Sequence, residues 1–314
     1  MKLDSKTTAF VFPGQGSQAV GMGKDLASGY EVARQTFQEA DEILRTSFSS
    51  LMWEGPESDL NDTVNTQPAL FIHSVVSFRV FAQLYPDFKP AALAGHSLGE
   101  LSALAAAGAL SFESGLRLVR KRGELMKKAG ELNPGGMAAI LNLDLVTLEK
   151  VCTEASRANE SVQVANDNCP GQVVISGTRA AVERAMEAAK AAGAKRAIPL
   201  VVSIAAHSRL MASIQDEWNE AVNNAGISDA RLQIIGNVVA QPLQSANDLR
   251  HDIQSQMQSR VRWTETVQLL AGQGVATFVE VGTGSVLLGL IRRITASARG
   301  YPLGNPSDMK ALGG

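Results

Sequence analysis

The 314-residue sequence is short of the features that mark several classes of protein. Its two cysteines, Cys152 and Cys169, are too few for a disulfide framework, and we expect each to be a free or buried thiol. No stretch approaches about eighteen apolar residues without a charge, and the apolar N-terminal stretch is too short for a signal peptide. We therefore expect a cytoplasmic protein without a membrane partner. A net charge of -2 gives no overall attraction to nucleic acid.

The overall composition is that of an ordinary globular protein, with 45% apolar and 19% charged residues. At both ends of the chain, apolar segments with strand character alternate with segments of helical periodicity. The predicted strands are residues 8–12, 91–94, 233–239 and 276–281, and the predicted helices include residues 28–47, 67–84, 112–128 and 285–294. This alternation predicts an α/β fold with a parallel sheet flanked by helices. We expect the tail after Ala298, which contains Gly, Pro and Ser, to be loosely held.

The middle of the chain has a different order of elements. Its predicted strands are residues 136–142, 161–166, 172–176 and 194–200, and its predicted helices are residues 146–158 and 180–192. The order βαββαβ is the split, ferredoxin-like pattern. We therefore predict a ferredoxin-like subdomain over residues 133–199, inserted into a large domain made of residues 1–132 and 200–314.

A Gly-x-Ser-x-Gly motif, which runs from Gly95 to Gly99 around Ser97, lies between a predicted strand and a helix-forming segment. A nucleophile elbow needs this context, because the glycines allow a tight turn that exposes the serine hydroxyl at the edge of the sheet. Backbone N–H groups at the start of the following helix can then stabilise an oxyanion. The same motif also fits a serine that only caps a helix, so both roles stay open.

A catalytic serine needs a general base, and the chain has four histidines. His96 adjoins Ser97 on the turn and is expected to pack or to orient a neighbour. His73 falls within a predicted helix, and His251 lies in a charged stretch. His207 follows the apolar run 198–206, which places it at the end of a buried strand where a base could lie. A purely structural role for His207 remains an equal alternative.

An arginine lies within the apolar stripe of the predicted helix 112–128. Arg122 shares the stripe with Leu118, Val119 and Leu125, whereas most of the other charged residues of this helix lie on or near its outer face. An inward guanidinium keeps its charge and must meet an anion or hydrogen-bond acceptors. It is either one half of a buried ion pair or a fork for a substrate carboxylate. The basic outer face is either simply solvated or attracts an acidic partner or a CoA phosphate.

Several motifs in order along the chain resemble the malonyl-CoA:acyl-carrier-protein transacylase family. The similar stretches are residues 12–18 (FPGQGSQ), 65–69 (NTQPA), 95–100 (GHSLGE), 122–123 (RG) and 170–177 (PGQVVISG), with Val281, Gly282 and Gly284. The resemblance covers roughly residues 8–294. It implies an α/β-hydrolase-like large domain that carries a ferredoxin-like insertion.

The resemblance also implies an activity. Members transfer a malonyl group from malonyl-CoA to the phosphopantetheine thiol of an acyl carrier protein, by a ping-pong mechanism that supplies fatty-acid synthesis. Malonyl-CoA and the carrier protein would be the partners, no metal or cofactor would be needed, and we expect a monomer. A free-standing acyltransferase of a polyketide synthase and the acyltransferase subunit of malonate decarboxylase share this chemistry. A hydrolase with the same elbow is a third alternative.

Residue by residue, the resemblance makes Ser97 the nucleophile and His207 its general base. The backbone N–H groups of Gln15 and Leu98 would form the oxyanion hole. Leu98 is in keeping with members that use malonyl units rather than branched ones.

Two further roles follow from the resemblance. Arg122 would hold the malonyl carboxylate, and the backbone carbonyl of Gln256 would orient the imidazole in place of an acidic triad member. One departure from the family pattern stands just before His207. Two alanines, Ala205 and Ala206, replace larger or polar residues there, which predicts a wider acyl pocket and less strict malonyl selectivity.

Overall fold

The computed structural model describes residues 3–202 and 204–313 of the chain. Its strands are β1 Thr8–Phe12, β2 Ala92–Gly95, β3 Gly135–Leu141, β4 Val162–Cys169, β5 Gln172–Thr178, β6 Arg196–Pro199, β7 Ile234–Ile235, β8 Pro242–Leu243, β9 Thr277–Val281 and β10 Arg299–Leu303. Its helices are α1 Lys24–Gly29, α2 Glu31–Leu44, α3 Phe48–Glu54, α4 Glu57–Leu60, α5 Thr63–Leu84, α6 Gly99–Ala106, α7 Phe112–Leu132, α8 Leu145–Ala155, α9 Arg179–Ala191, α10 Gln215–Asn224, α11 Ala246–Gln256, α12 Trp263–Gly272, α13 Val286–Ile294 and α14 Pro306–Gly313. None of these helices is long and apolar enough to span a bilayer.

The apolar segments from the two ends of the chain form one six-stranded sheet, in the order β10-β9-β1-β2-β7-β8. All neighbours are parallel except β8, which pairs antiparallel with β7 at one edge. Every residue of β1 is buried, as expected for a parallel strand covered by helices on both faces. The predicted α/β class with a parallel sheet is therefore confirmed, with one antiparallel edge strand that the sequence did not indicate.

The middle of the chain forms a second, antiparallel sheet in the order β4-β5-β3-β6. Helices α8 and α9 pack on one face of it through Leu148 and Val182, against Ile140 and Ile175 of the strands. The elements follow in the order βαββαβ from Gly135 to Pro199. Successive side chains of β3 point to opposite faces of this sheet. The face opposite α8 and α9 is directed toward the rest of the molecule.

Two long helices, α5 and α7, pack side by side next to the larger sheet. The prediction began α5 at residue 67, but the structure begins it at Thr63, where the Asp62 side chain accepts the Val64 N–H as an N-cap. Pro68 therefore lies inside the helix and cannot donate to the Val64 carbonyl. Nη1 of Arg120 donates to that carbonyl at 3.2 Å, so α7 satisfies the acceptor that the proline leaves free.

The sequence prediction for the C-terminal tail was wrong. After Ala298 the chain adds β10 to the sheet, parallel to β9, and then forms α14. Leu303 and Met309 are fully buried, and the Tyr85 hydroxyl donates to the Met309 carbonyl at 3.1 Å. Gly, Pro and Ser suggested a loose tail because composition does not show which long-range contacts hold a segment.

The strand before the predicted base was also misjudged. Among the described residues of the run 198–206, only the first two belong to a strand: β6 ends at Pro199, and the side chain of Val201 is fully exposed. Strand β6 is an edge strand, which pairs with β3 on one side only. An apolar segment that follows an edge strand can continue as a loop, because no strand on its other side is there to pair with it. His207 is thus reached by a loop and not by a strand.

Candidate active site

The Gly-x-Ser-x-Gly motif forms a tight turn between β2 and α6. Ser97 has φ +52, a left-handed conformation that is uncommon outside glycine. A Cβ on Gly95 would lie 2.0 Å from the Gly99 carbonyl carbon, and a Cβ on Gly99 would lie 2.0 Å from the Phe12 oxygen. Neither position admits a side chain, so both glycines of the motif are required by packing. The turn places Ser97 on the wall of a cavity.

An asparagine that sequence analysis missed holds this turn in place. The Ser97 N–H donates to Oδ1 of Asn237 at 2.7 Å, and Nδ2 of Asn237 donates to the Gly95 carbonyl at 2.7 Å. Asn237 is buried and follows β7, the neighbour of β2 in the sheet. These two hydrogen bonds fix the strained residue from a distant part of the chain.

His207 lies directly beside the serine. Its Nε2 is 2.8 Å from the Ser97 Oγ, and its Nδ1 is 2.9 Å from the Gln256 carbonyl and 3.2 Å from the Ser259 carbonyl. Two carbonyl acceptors at Nδ1 assign the proton to that nitrogen, which leaves Nε2 free to accept the serine hydroxyl. Like Ser97, His207 has a positive φ, of +57.

The surroundings of His207 favour its neutral form. Burial, the largest cause, and the positive charge of Arg122 together lower its pKa to about 3, against smaller opposing effects of the carbonyl hydrogen bonds. The imidazole is therefore neutral at neutral pH. A neutral imidazole with a free Nε2 has the form that a general base needs.

Arg122 enters the same place from α7. Its side chain is buried, its Nη2 lies 3.1 Å from the Ser97 Oγ and 2.8 Å from Oε1 of Gln256, and its Nη1 donates to Oε1 of Gln67 at 2.9 Å. Among the described residues it forms no salt bridge, so the alternative of a buried ion pair is not what the structure shows. Burial lowers its pKa to about 10, and the guanidinium remains charged at neutral pH.

The cavity in front of these groups has a volume of about 780 Å³. Gln15, from the loop after β1, and Leu98, which follows the serine, both line it. Within the described ranges the backbone N–H groups of Gln15 and Leu98 donate to no acceptor. The loops approach closely, because a Cβ on Gly14 would lie 2.5 Å from the His96 carbonyl oxygen. Two free donors thus lie near the serine.

The other histidines do not meet the serine hydroxyl. Nε2 of His96 bonds to Oδ1 of Asn168 at 2.8 Å, and its ring contacts the edge of Trp263, which fits the predicted packing or orienting role. His251 is exposed, and His73 is buried elsewhere.

The two alanines before His207 have different positions. Ala206 lines the cavity, whereas Ala205 is fully buried against Gly135. The prediction that both widen the acyl pocket was therefore wrong for Ala205, whose side chain points into the packing behind the loop.

A second cavity is larger, at about 1050 Å³, but it lacks the groups for acyl transfer. Arg157, Arg209 and Arg260 line it together with Cys152, and no histidine does. Burial raises the pKa of Cys152 to about 12, so its thiol is not ionised at neutral pH. Size alone does not identify the site, and the smaller cavity is the one that combines a serine hydroxyl, a neutral imidazole and a buried guanidinium.

Comparison with known proteins agrees with this geometry. The profile of the acyl transferase domain family matches residues 9–305. A malonyl CoA-acyl carrier protein transacylase of Bacillus subtilis is 44% identical over 304 residues, which cover 96% of this chain and 95% of that protein. The chain belongs to the malonyl CoA-acyl carrier protein transacylase family.

Solved structures of the family share the whole fold. The crystal structure of an acyl carrier protein S-malonyltransferase from Vibrio cholerae has a TM-score of 0.94 and 42% identity, and the match covers 98% of this chain and 99% of that chain. A malonyl-transacylase in complex with a type II PKS acyl-carrier protein gives a TM-score of 0.92 and 41% identity, over 97% and 98% of the two chains.

In this family member, the basic outer face of α7 is neutralised within the chain. Arg117 pairs with Glu113, Arg120 pairs with Glu124, and Lys127 pairs with Asp62 at 2.7 Å. Lys121 and Lys128 both reach Glu217 of α10. The exposed ion pairs leave little free positive charge there, which favours the simpler interpretation of a solvated face.

Proposed function

We propose that this chain transfers malonyl groups from malonyl-CoA to an acyl carrier protein through a malonyl-Ser97 ester. The observation that carries the proposal is the arrangement of two groups around one hydroxyl. His207 Nε2 and Arg122 Nη2 lie 2.8 and 3.1 Å from the Ser97 Oγ, inside a cavity. A base next to the nucleophile activates it, and a cation next to it selects an acyl group that carries a carboxylate.

In the first half-reaction, His207 takes the proton of Ser97 as the oxygen attacks the thioester carbonyl. The oxyanion that forms is proposed to accept hydrogen bonds from the backbone N–H groups of Gln15 and Leu98, which line the cavity and have no other acceptor among the described residues. Collapse of the intermediate releases the CoA thiolate, which takes its proton from the imidazolium. The Gln256 carbonyl at Nδ1 keeps the ring in the required tautomer.

In the second half-reaction, the phosphopantetheine thiol of the carrier protein attacks the malonyl-Ser97 ester, again with His207 as base. The serine regains its proton, and the malonyl thioester leaves on the carrier. Both half-reactions use the same groups, which is the logic of a ping-pong mechanism. No step requires a metal or a prosthetic group on this chain.

The Arg122 guanidinium is proposed to bind the malonyl carboxylate. It is buried, charged and free of a salt bridge within the described residues, and one of its nitrogens lies beside the reacting hydroxyl. A hydrogen bond to a charged group contributes about 1.5–3 kcal/mol, which corresponds to a preference for malonyl over acetyl of about ten- to a hundredfold.

The carrier protein is proposed to be that of fatty-acid synthesis. The relatives include a malonyl-transacylase in complex with a type II PKS acyl-carrier protein, and this neighbour favours a polyketide carrier as the second candidate. The two functions share every group in the cavity. Malonyl transfer assayed against both kinds of carrier separates them.

For the architecture, we propose an α/β-hydrolase-like large domain over residues 1–132 and 200–314, with a ferredoxin-like subdomain inserted at residues 133–199. The strand order β4-β5-β3-β6 with two helices on one face supports the second part of this description. A monomeric, cytoplasmic enzyme stays a prediction from the sequence.

The proposal predicts a covalent malonyl adduct. Incubation with malonyl-CoA followed by intact-mass measurement is expected to show one malonyl group per chain, and addition of holo carrier protein is expected to remove it. Peptide mapping is expected to place the adduct on Ser97, and Ser97→Ala is expected to remain unlabelled. Ser102→Ala, a change in the helix after the elbow, is the matched control and is expected to be labelled like the parent.

Labelling of Ser97→Ala would show that another residue is the nucleophile. Loss of the adduct at the same rate with and without carrier protein would point to a hydrolase in place of a transferase.

A further inference from the structure

Two acidic side chains lie buried behind the nucleophile elbow, and the mechanism above uses neither. Glu100, in the first turn of α6, is fully buried, and Asp252 of α11 is 2% exposed. Among the described residues neither carboxyl group forms a salt bridge with a basic side chain. Two adjacent buried carboxyls cannot both be ionised without a large electrostatic cost, so one of them must carry a proton.

The hydrogen bonds favour a proton on Glu100. Each oxygen of Asp252 accepts a backbone N–H at 3.2 Å, from Val238 and Val239. Oε2 of Glu100 accepts from Nε2 of Gln256 at 2.6 Å, but Oε1 of Glu100 accepts no hydrogen bond from any of the described residues. A proton on that oxygen makes it a donor toward the neighbouring Asp252 carboxylate. This assignment satisfies the remaining buried polar atom of the pair.

The electrostatic environment agrees with the hydrogen bonds. Burial raises the pKa of Glu100 well above its ordinary value, and the charge and hydrogen bond of Asp252 raise it further. The Gln256 amide and the backbone N–H of Asn237 act in the opposite direction and are smaller effects.

We propose that Glu100 is a neutral carboxylic acid that positions Gln256 and so leaves the Arg122 charge available to a substrate carboxylate. The Gln256 amide has one possible orientation in this network. Its Nε2 donates to Glu100 and to the Ser97 carbonyl, at 2.6 and 3.0 Å, and its Oε1 accepts from Arg122 at 2.8 Å. The sequence motif contains Glu100, but nothing in the sequence gave this residue a role.

The charge balance explains why the neutral form matters. Glu100 lies near enough to Arg122 for its charge to act on the guanidinium. An ionised Glu100 would add a second negative charge beside Asp252, attract the guanidinium and repel an incoming malonyl carboxylate. A protonated Glu100 keeps the amide in place without that repulsion. Glu100 is therefore a positioning residue, and this inference rests on the proposed malonyl transfer.

Two substitutions at one position test the inference. Glu100→Gln keeps an acceptor toward Gln256 and a donor toward Asp252, and it is expected to leave the kcat and KM of malonyl transfer within about threefold of the parent. Glu100→Met removes both hydrogen bonds. Gln256 then no longer holds the Arg122 guanidinium in place, and the malonyl KM is expected to rise by about tenfold or more. Acetyl-CoA, which has no carboxylate, is the matched substrate, and its kcat/KM is expected to change by less than about threefold.

A readout independent of activity measures the proton itself. Difference infrared spectroscopy of the parent protein is expected to show the carbonyl band of a protonated carboxyl that is absent in Glu100→Gln. This band tests the protonation even if malonyl-CoA does not label the parent, a result that would refute the proposed function alone. Circular dichroism and the thermal midpoint establish that each variant is folded. If Glu100→Met does not fold, the malonyl-transfer kinetics of Glu100→Gln and the infrared band still test the inference.

Two results would overturn the inference. A loss of more than about tenfold in malonyl transfer by folded Glu100→Gln would show that the ionised carboxylate is the working form. Equal losses of malonyl and acetyl transfer in folded Glu100→Met, or no loss of either, would show that Glu100 does not act through Gln256 and Arg122.

Discussion

His207 and His73 lie in two different regions of the molecule, and each bonds to a hydroxyl and to a backbone carbonyl in different surroundings. His207 bonds to a serine hydroxyl through one ring nitrogen and to a backbone carbonyl through the other. His73 bonds to the Thr283 hydroxyl through Nδ1 and to the Gly304 carbonyl through Nε2. Burial lowers the pKa of His207 to about 3 and that of His73 to about 4. Both are neutral at neutral pH.

These two hydroxyl–imidazole–carbonyl groups differ in what surrounds them. His207 opens onto a cavity with a buried cation and two backbone N–H groups that have no acceptor in the described part of the chain. His73 and Thr283 line neither of the two cavities described above, and His73 instead ties α5 to the loop between β10 and α14. A buried histidine with a lowered pKa and a hydroxyl partner is therefore not in itself a catalytic base. In the proposed mechanism, access to the substrate and the proposed oxyanion site make the difference.

The largest effect on activity is expected at His207. His207→Ala removes the base and is expected to reduce kcat/KM for acylation of the serine by about 10²–10⁴, which is the usual contribution of general base catalysis. His251→Ala, at an exposed position, is the control and is expected to stay within about twofold. The rate is measured by quenched-flow intact mass with malonyl-CoA. A loss of less than about tenfold would contradict the assigned base and remove the contrast with His73.

A smaller and selective effect is expected at Arg122, whose positive charge acts on His207. Arg122→Ala is expected to lower malonyl transfer by about ten- to a hundredfold, because the carboxylate loses its charged donor, while acetyl transfer is retained or rises. The pKa of His207 is expected to rise, since Arg122 is one of the groups that lower it, and that of His73 is expected to stay unchanged. Competition between malonyl-CoA and acetyl-CoA measures the first effect, and NMR titration of the rings measures the second.

The control for this prediction lies on the same helix. Arg117 is exposed and pairs with Glu113 at 2.9 Å, so Arg117→Ala is expected to leave the preference for malonyl unchanged. An equal loss of malonyl and acetyl transfer in Arg122→Ala would show that the arginine has a structural role only.

The parts of the site that depend on local pattern could be predicted from the sequence. The elbow is a five-residue motif whose glycines are needed for local packing, and helical periodicity alone placed Arg122 on the buried face of α7. Contacts between distant segments could not be predicted in this way. Asn237 holds the Ser97 turn across 140 positions of sequence, and the pairing of Glu100 with Asp252 depends on how α6 and α11 meet.

The histidine loop and the C-terminal tail show the same limit. Sequence favoured a buried strand before His207 because residues 198–206 are apolar, but hydropathy does not reveal that β6 lies at a sheet edge. The tail looked loose because its anchors, the fully buried Met309 and the bond from His73 to Gly304, are tertiary contacts. Local composition predicts neither the edge position of β6 nor the tertiary contacts of the tail.

The smallest effect on activity is expected at His73. His73→Ala leaves the Gly304 carbonyl and the Thr283 hydroxyl without their partner and opens a space between α5 and the C-terminal segment. The free energy of unfolding is expected to fall by about 1–3 kcal/mol, the cost of an unsatisfied buried group. Malonyl transfer at temperatures well below the midpoint is expected to stay within about twofold. Thermal denaturation and the acylation assay on the same sample check both. If folded His73→Ala lost activity as His207→Ala does, the surroundings of the two histidines would not explain which one is catalytic.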